Sequence, residues 1–219
     1  MALKLYGYWR STASYRVRIA LNLKQLDYEY IPVHLVDEGG QQHQLPYRTL
    51  NPARLVPTLV DDDEDLILHQ SLSIIEFLDE KYSQGVALLP RHCLERARVR
   101  ALAQDLACDV QPLGNLRVLQ ALKTDFAATP AQQHAWAAHW IERGFSALEQ
   151  RLSTQSGKYC FDFDVTMADV CLVPQAYNAR RFGIDMSRFP LISKIADNCE
   201  QLPAFAQACP ESQPDAPAC

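Results

Sequence analysis

The chain has 219 residues, of which 48% are hydrophobic, and it carries a formal net charge of -5. This length and composition fit one or two globular domains and exclude an intrinsically disordered chain. The 21 basic residues are scattered, and no apolar run approaches the roughly eighteen residues that cross a bilayer, so we expect neither a nucleic-acid partner nor a membrane span.

The first third of the chain alternates strand-like and helix-like patterns, which is typical of a mixed α/β domain. Strand signals are alternating, aromatic or β-branched runs, whereas the helical stretches repeat their apolar residues every three to four positions. Pro32 in the second strand indicates an edge position. The predicted order is β-α-β followed by β-β-α, with strands at 3–8 and 28–33, two short strands within 56–70, and helices over 14–24 and 71–82.

An acidic run, Asp61 to Asp65, joins the last two predicted strands. It lacks the spaced ligands and the glycine of a calcium-binding loop, so we interpret it as a solvated hairpin tip. The helix that follows opens at Ser71, a residue type that caps helix N-termini, and we expect Ser71 to be its N-cap.

Strand signals almost vanish after residue 93, which predicts an all-helical second half. A long helical run is interrupted by Pro112, where a break is expected, and capping boxes at Thr129 and Thr166 open later helices. These helices are predicted over 94–123, 130–152, 165–182, about 190–200 and about 203–209. The chain is therefore predicted to comprise an α/β domain over 1–84, an all-helical domain over 91–212 and a frayed tail over 213–219.

Seven cysteines, an odd number with no C-x-x-C pair, argue against a disulfide framework and against a zinc site. The amino terminus, "MALKLYGYW", begins with strand-like sequence rather than with the apolar core of a signal peptide. We therefore expect no bound metal and a reducing, cytoplasmic setting.

Polar side chains lie between the first strand and the first helix, in the stretch "GYWRSTASYRV". From spacing alone, Ser11 and its neighbours end a strand and cap a helix, and Ser71 caps a later helix. A helix start also suits an anion, because its unpaired N–H groups and the helix dipole are positive there. The residues themselves leave both interpretations open.

Several motifs in one register resemble the zeta class of the cytosolic glutathione transferases. They are "RSTASYRVRIAL", "GQQ", "LNP", "LVPTL", "HQSLSIIEFL", "QPLGNL", "TMAD" and "LVPQAYNARRF", and together they span nearly the whole chain. The resemblance implies a thioredoxin-like βαβ-ββα domain followed by an all-α helical bundle. It also implies a homodimer.

Glutathione is the cofactor that this resemblance implies. Its glutamyl carboxylate is expected at Gln70 and Ser71, and its cysteinyl backbone at Val56, before a cis Pro57. From the sequence alone, a trans proline that starts an edge strand is the alternative. Arg16 and Arg18 would ordinarily be solvated helix charges, although the signature allows Arg16 a supporting role. The other positions assigned to the glutathione site are Gln42 near the glycyl end, Gln111, Asn115 and Arg117.

The resemblance also implies how the thiol of glutathione is activated. A free thiol has a pKa of about 8.5 and needs a hydrogen-bond donor to ionise at neutral pH. Ser11 is expected to donate to the sulfur, and Thr12 to assist. Tyr8 is a rival donor, which we interpret instead as a packing residue. Ala13 occupies a position where this class commonly has cysteine, so no thiol of the protein itself can serve in the motif.

The implied reaction is the cis–trans isomerisation of maleylacetoacetate to fumarylacetoacetate, a step of tyrosine and phenylalanine breakdown. Its substrate, a cis enedioate, carries two negative charges and calls for fixed positive charge. Arg181 is the first candidate for a substrate clamp and Arg10 the second, while Arg117 is left open.

Three alternatives accompany this interpretation. The first is a maleylpyruvate isomerase: that subgroup favours histidine at the position of Gln111 and arginine at that of Leu116, so both residues argue for maleylacetoacetate, whereas Arg117 keeps the alternative open. The second is a general glutathione transferase acting on α-haloacids and other electrophiles. The third is a non-catalytic interaction module, against which the retained Ser11 and Ser71 argue.

Overall fold

The computed structural model describes residues 3–217, apart from the side chain of Glu38. Four strands form one mixed sheet in the order β2-β1-β3-β4, in which β1 pairs parallel with β2 and the other pairs are antiparallel. The position of β2 at the edge confirms the interpretation of Pro32. The strands are β1 (Leu3–Gly7), β2 (Glu29–Pro32), β3 (Thr58–Asp61) and β4 (Leu66–His69).

The helices follow the predicted order, and the βαβ-ββα arrangement is confirmed. A short helix between β2 and β3 was not predicted from the sequence. The α-helices are α1 (Thr12–Leu23), α2 (Leu45–Leu50), α3 (Ser71–Lys81), α4 (Cys93–Gln104), α5 (Leu116–Phe126), α6 (Pro130–Gln155), α7 (Met167–Arg181), α8 (Pro190–Glu200) and α9 (Pro203–Ala208).

Helix α1 is buried on nearly every side, because α3 and α9 both pack against it. Its two arginines are therefore not solvated charges, and that expectation was wrong: Arg16 is 2% exposed and Arg18 is 0% exposed. Helical periodicity cannot show this, since the face that would ordinarily meet water is covered by residues from the far end of the chain.

The described chain divides into two compact units, one running from the amino terminus to Leu88 and resumed from Leu202 onward, the other being Leu89–Gln201. This division differs from the predicted domains at the carboxyl end, because α9 packs on α1 of the first unit. The expected frayed tail also differs: Gln213 is buried, and Asp215 accepts hydrogen bonds from the first unit. Residues 218 and 219 lie outside the described residues.

The helical unit departs from regular α-helix before the expected break at Pro112. Helix α4 continues into a π-helical turn, Asp105–Val110, and then into a 3-10 turn, Gln111–Gly114. Both predicted capping boxes are present, at Thr129 before α6 and at Thr166 before α7. No helix within residues 3–217 is both long and apolar enough to span a membrane.

The acidic turn between β3 and β4 is held more firmly than a solvated tip. Asp61 is buried, and its carboxylate accepts a hydrogen bond from Lys81 at 2.9 Å. Lys81 also pairs with Glu64, and Lys4 pairs with Asp62. The turn is therefore tied to β1 and α3 by two lysines, although most of its carboxylates are exposed as expected.

Candidate functional site

The junction between β1 and α1 is a tight turn with Ser11 at its end. The Ser11 amide donates to the Tyr8 carbonyl at 3.0 Å, and the Ser11 side chain occupies the N-cap position of α1. Its Oγ accepts a hydrogen bond from the Ser14 amide at 3.2 Å. A hydroxyl can accept and donate at the same time, and the Ser11 hydroxyl donates no hydrogen bond within the described residues. Capping the helix therefore leaves its proton available to another molecule.

The neighbours of Ser11 are more deeply placed. Thr12 is the first residue of α1 and is buried, while Ser14 is fully enclosed and its Oγ accepts from the Tyr8 amide at 3.4 Å. The Tyr8 ring is also buried and makes an edge contact with His34, with ring centroids 5.0 Å apart. Ser11, which is only half-buried, is thus the more accessible hydroxyl of the turn.

Ser71 is the first residue of α3, not its N-cap as expected. Gln70 occupies the cap position with a positive φ of 69° and makes no side-chain capping bond. The Ser71 Oγ accepts a hydrogen bond from the Arg16 guanidinium at 3.0 Å. A buried cation therefore lies directly behind the hydroxyl and the amide groups at the start of α3, which makes this helix start positive and suited to a carboxylate.

The Val56–Pro57 peptide bond is cis, as the resemblance implied. The segment before it is fixed through the Leu55 carbonyl, which accepts from the Tyr47 hydroxyl at 2.6 Å and from the Asn51 side-chain Nδ2 at 2.8 Å. The backbone N–H and C=O of Val56 make no hydrogen bond within residues 3–217. A pair of adjacent backbone groups of this kind can bind an extended peptide in the manner of an added strand.

Gln42 is buried, and its Nε2 donates to the Leu35 carbonyl at 3.1 Å. Its Oε1 is also buried and accepts no hydrogen bond from the described residues. The side chain thus points into the protein. This orientation does not favour the predicted contact between Gln42 and the glycyl end of glutathione.

Three predicted residues lie in the helical unit, at the turn that follows the π-helix. Gln111 begins the 3-10 turn and is half-buried. Asn115 is the N-cap of α5, where its Oδ1 accepts from the Arg117 amide at 3.1 Å. The Arg117 side chain is exposed. Distorted helical turns of this type often occur at functional sites.

Arg181 ends α7, and its contacts differ from those of the preceding arginine. Arg180 pairs with two carboxylates, Asp197 and Glu200. Arg181 instead lies over the Phe182 ring, 4.4 Å from its centroid, and donates to the Asn178 side-chain oxygen at 3.1 and 3.3 Å. The ring and the Asn178 oxygen orient the Arg181 guanidinium, which makes Arg181 a candidate substrate clamp.

Arg10 is exposed and lies over the Trp9 ring, with its guanidinium carbon 5.3 Å from the ring centroid. It is the residue immediately before Ser11, so the turn itself carries an accessible cation next to the hydroxyl.

Sequence reasoning missed two residues that organise this turn, Arg18 and Asp215. Arg18 donates to the Tyr8 and Trp9 carbonyls, and Asp215 accepts from the Trp9 amide. Burial lowers the pKa of Arg18 from its usual value, although nearby tyrosines and Asp215 oppose that shift. The sequence signal for Arg18 was limited to its place as the second arginine of the "RVR" stretch, and no signal in the tail indicated Asp215.

The residues of the first unit fit glutathione in the chemistry of their groups. The start of α3, with Ser71 and the buried Arg16, suits a carboxylate. The backbone of Val56 suits a peptide group, and the available hydroxyl proton of Ser11 suits a thiolate. Arg16 is 2% exposed and donates to Ser71, so its expected supporting role would be exerted through Ser71.

Comparisons with known proteins agree with this geometry. The family model for the glutathione S-transferase N-terminal domain matches residues 5–85. A probable maleylacetoacetate isomerase of Vibrio cholerae is 52% identical over 99% of both chains.

Two solved structures are similar over the same length. A holo structure of a maleylpyruvate isomerase, described as a bacterial zeta-class glutathione S-transferase, has a TM-score of 0.93 and 44% identity, covering 98% of this chain and all of the other. A maleylacetoacetate isomerase from Anaeromyxobacter dehalogenans, with dicarboxyethyl glutathione and citrate in its active site, has a TM-score of 0.87 and 39% identity, covering 99% and 98% of the two chains. The chain therefore belongs to the zeta class of the glutathione S-transferase family, alongside the maleylacetoacetate isomerases.

Proposed function

We propose that this protein is a glutathione-dependent cis–trans isomerase that converts maleylacetoacetate to fumarylacetoacetate. The observation that carries the proposal is the available hydroxyl of Ser11 at the start of α1, in the same unit as a carboxylate-binding helix start and the Val56 backbone. The full-length similarity to maleylacetoacetate isomerases supports the same reaction.

Glutathione would be held by groups of the first unit. The start of α3 at Gln70 and Ser71 would bind its glutamyl carboxylate, since the helix dipole and Arg16 make that position positive. Val56 would bind its central peptide group. Gln111 and Asn115 of the helical unit are proposed as further contributors.

Ser11 would donate a hydrogen bond from its hydroxyl to the sulfur of glutathione, and Thr12 would assist through its position at the helix start. When bound, glutathione supplies a thiolate that adds reversibly to the cis double bond, which permits rotation about that bond before the thiolate leaves. The contribution of the chain is to lower the pKa of the thiol from about 8.5, and a hydrogen-bond donor at a helix N-terminus does so without ionising itself.

Fixed positive charge would hold the two carboxylates of the substrate. Arg181 is the preferred clamp, because Asn178 and the Phe182 ring orient it. Arg10, adjacent to Ser11, is the second candidate, and Arg117 is the third. The citrate and dicarboxyethyl group in the Anaeromyxobacter relative support a site for small carboxylates.

Maleylpyruvate is the second candidate substrate, because it differs only in the tail of the molecule. The structural similarity to a maleylpyruvate isomerase supports it, and the exposed Arg117 offers a cation in the turn after the π-helix. Transfer of glutathione to α-haloacids is a further activity that the same activated thiol would support.

The deciding assay measures isomerisation of maleylacetoacetate and of maleylpyruvate, each with and without glutathione. We expect glutathione-dependent turnover, with the larger kcat/KM for maleylacetoacetate. Absence of glutathione-dependent turnover with both substrates would contradict the proposal. A larger kcat/KM for maleylpyruvate would make maleylpyruvate, not maleylacetoacetate, the preferred substrate.

Arg181→Ala tests the substrate clamp, and Arg180→Ala is its matched control. Loss of one charge-assisted contact should raise the KM for maleylacetoacetate about tenfold in Arg181→Ala. Arg180 is already paired with two carboxylates, so its removal should leave that KM unchanged. An unchanged KM in Arg181→Ala would reassign the clamp to Arg10 or Arg117.

We also propose that the protein is a cytoplasmic homodimer, as the family resemblance implies. Sedimentation equilibrium at micromolar concentration should give twice the chain mass of 24.8 kDa. A monomer at that concentration would refute the dimer.

A further inference from the structure

The carboxyl-terminal segment returns to the turn that carries Ser11. The Asp215 carboxylate accepts a hydrogen bond from the Trp9 amide at 2.9 Å and another from the Tyr30 hydroxyl at 3.3 Å, both through the same oxygen. Trp9 is two residues before Ser11, so a residue near the end of the chain binds the backbone of the turn directly.

Arg18 binds the same turn from the side of the helix. Its guanidinium donates to the Trp9 carbonyl at 2.9 Å and to the Tyr8 carbonyl at 3.4 Å. A third hydrogen bond, 3.0 Å long, reaches the Ala208 carbonyl in the carboxyl-terminal segment. The amide of Trp9 is therefore held by a carboxylate, and its carbonyl by a cation.

These bonds restrict the backbone immediately before Ser11. The Tyr8 carbonyl accepts from both the Ser11 amide and the Arg18 guanidinium, so the hydrogen bond that closes the turn is also tied to Arg18. The second carboxylate oxygen of Asp215 is buried and accepts no hydrogen bond from the described residues. Burying a charge in this way is costly unless its contacts have a compensating value.

We propose that Asp215 and Arg18 are positioning residues that fix the direction of the Ser11 hydroxyl. The carboxyl-terminal segment is then part of the apparatus that activates glutathione. The inference rests on the role of Ser11 proposed above. A displacement of about 1 Å at a reacting group can cost on the order of a hundredfold in rate, so a partial loosening of the turn is large enough to measure.

The test compares Asp215→Ala and Asp215→Asn in the whole chain, with Asp27→Asn as the matched control. Asp27 is an exposed carboxylate of the same unit. In Asp215→Ala we expect kcat to fall on the order of tenfold while the KM for glutathione stays within about twofold, because the binding groups at Val56 and Ser71 are untouched. Asparagine keeps an oxygen that can accept from the Trp9 amide, so the kcat of Asp215→Asn should fall by only about threefold. Asp27→Asn should match the wild type.

A double mutant separates this inference from the proposed role of Ser11. If Asp215 acts through Ser11, Asp215→Ala should lower kcat no further in a Ser11→Ala background. The same tenfold loss in both backgrounds, or an unchanged kcat in the single variant, would overturn the inference. Full activity of Ser11→Ala alone would instead refute the proposed activator. If Asp215→Ala does not fold, the same cycle run with Asp215→Asn, for which about a threefold effect is expected, decides the matter.

Discussion

The starts of α1 and α7 are both capped by a hydroxyl, yet their caps differ in what they leave available. At α7, the Thr166 hydroxyl accepts from the Ala168 amide and donates to the Asp169 carboxylate. That carboxylate also accepts from the Thr166 and Cys160 amides, and the whole arrangement is buried. At α1, Ser11 accepts from the Ser14 amide, and the first turn of the helix contains no acidic residue.

The difference separates a cap that only stabilises from one that can also bind. A hydroxyl that already donates its hydrogen bond to a carboxylate has none left to donate to a ligand. The Ser11 hydroxyl can still donate one, and it lies in the positive field of the helix start. Two caps of the same residue class are therefore distinguished by the acidic partner and by burial. The variants below test that distinction.

The largest effect is expected for Asp169→Ala. Its removal leaves the Cys160 and Thr166 amides unpaired inside the helical unit, which should lower the free energy of unfolding by about 3 kcal/mol. Urea unfolding measures this, and the kcat of the folded protein should remain near the wild-type value. Thr129→Ala, in the exposed capping box of α6, is the control, with an expected loss of about 1 kcal/mol. Equal losses of unfolding free energy in the two variants would show that burial does not make the α7 capping box the more stabilising one.

Ser11→Ala should show the reverse pattern. Loss of the donor should reduce kcat about a hundredfold, while loss of the cap should lower the free energy of unfolding by only about 1 kcal/mol. Steady-state kinetics and urea unfolding of the same preparation give both numbers. Ser11→Thr, which retains a hydroxyl, should keep most of the activity. If Ser11→Ala lowers the stability but not kcat, then Ser11 serves only as a helix cap, as Thr166 does.

A smaller effect concerns pH. Burial raises the pKa of Asp169, against the opposing effect of its hydrogen bonds from Cys160 and Thr166. A carboxyl whose pKa is higher in the folded state binds its proton more tightly there, so its contribution to stability is present below the unfolded pKa and is lost as pH rises through the folded pKa. The stability advantage of the wild type over Asp169→Asn should therefore shrink as the pH rises above about 4, as measured by urea unfolding. An advantage that grows over this range would show that the hydrogen bonds outweigh burial.

The smallest effect is expected for Ala13→Cys, which restores the residue that this class commonly has. Because the reaction requires only the thiol of glutathione, kcat should change by no more than about twofold. A gain of tenfold or more would show that a thiol of the protein takes part. Ala13→Ser is the control for the added volume.

Much of the fold follows from local patterns, because each pattern has a local cause. The capping box at Thr166 requires only residues three positions apart, and it forms as predicted. The cis bond before Pro57 was implied by the resemblance and is confirmed. The places of Ser11 at the start of α1 and of Ser71 at the start of α3 could likewise be anticipated from residue type and position.

The remainder depends on contacts between distant parts of the chain. The burial of Arg18 follows from α9 covering α1, and its bond to Ala208 joins residues 190 positions apart. Composition suggested a frayed tail, yet Asp215 binds the turn at Trp9. Ser71 was expected to cap α3 but is its first residue, and its hydroxyl accepts from Arg16, a distant residue in α1.

The return of the last residues to the first unit has a consequence for synthesis on the ribosome. Residues 3–88 are translated before the helical unit, whereas α9, which covers α1, and Asp215, which binds the Trp9 amide, are translated after it. Domains ordinarily fold as units, with the amino-terminal one first. Here the whole helical unit, Leu89–Gln201, is translated before the buried arginine of α1 can meet its final partner at Ala208. The first unit is therefore begun before the helical unit and completed after it, and α1 lacks the cover of α9 until the helical unit has been made.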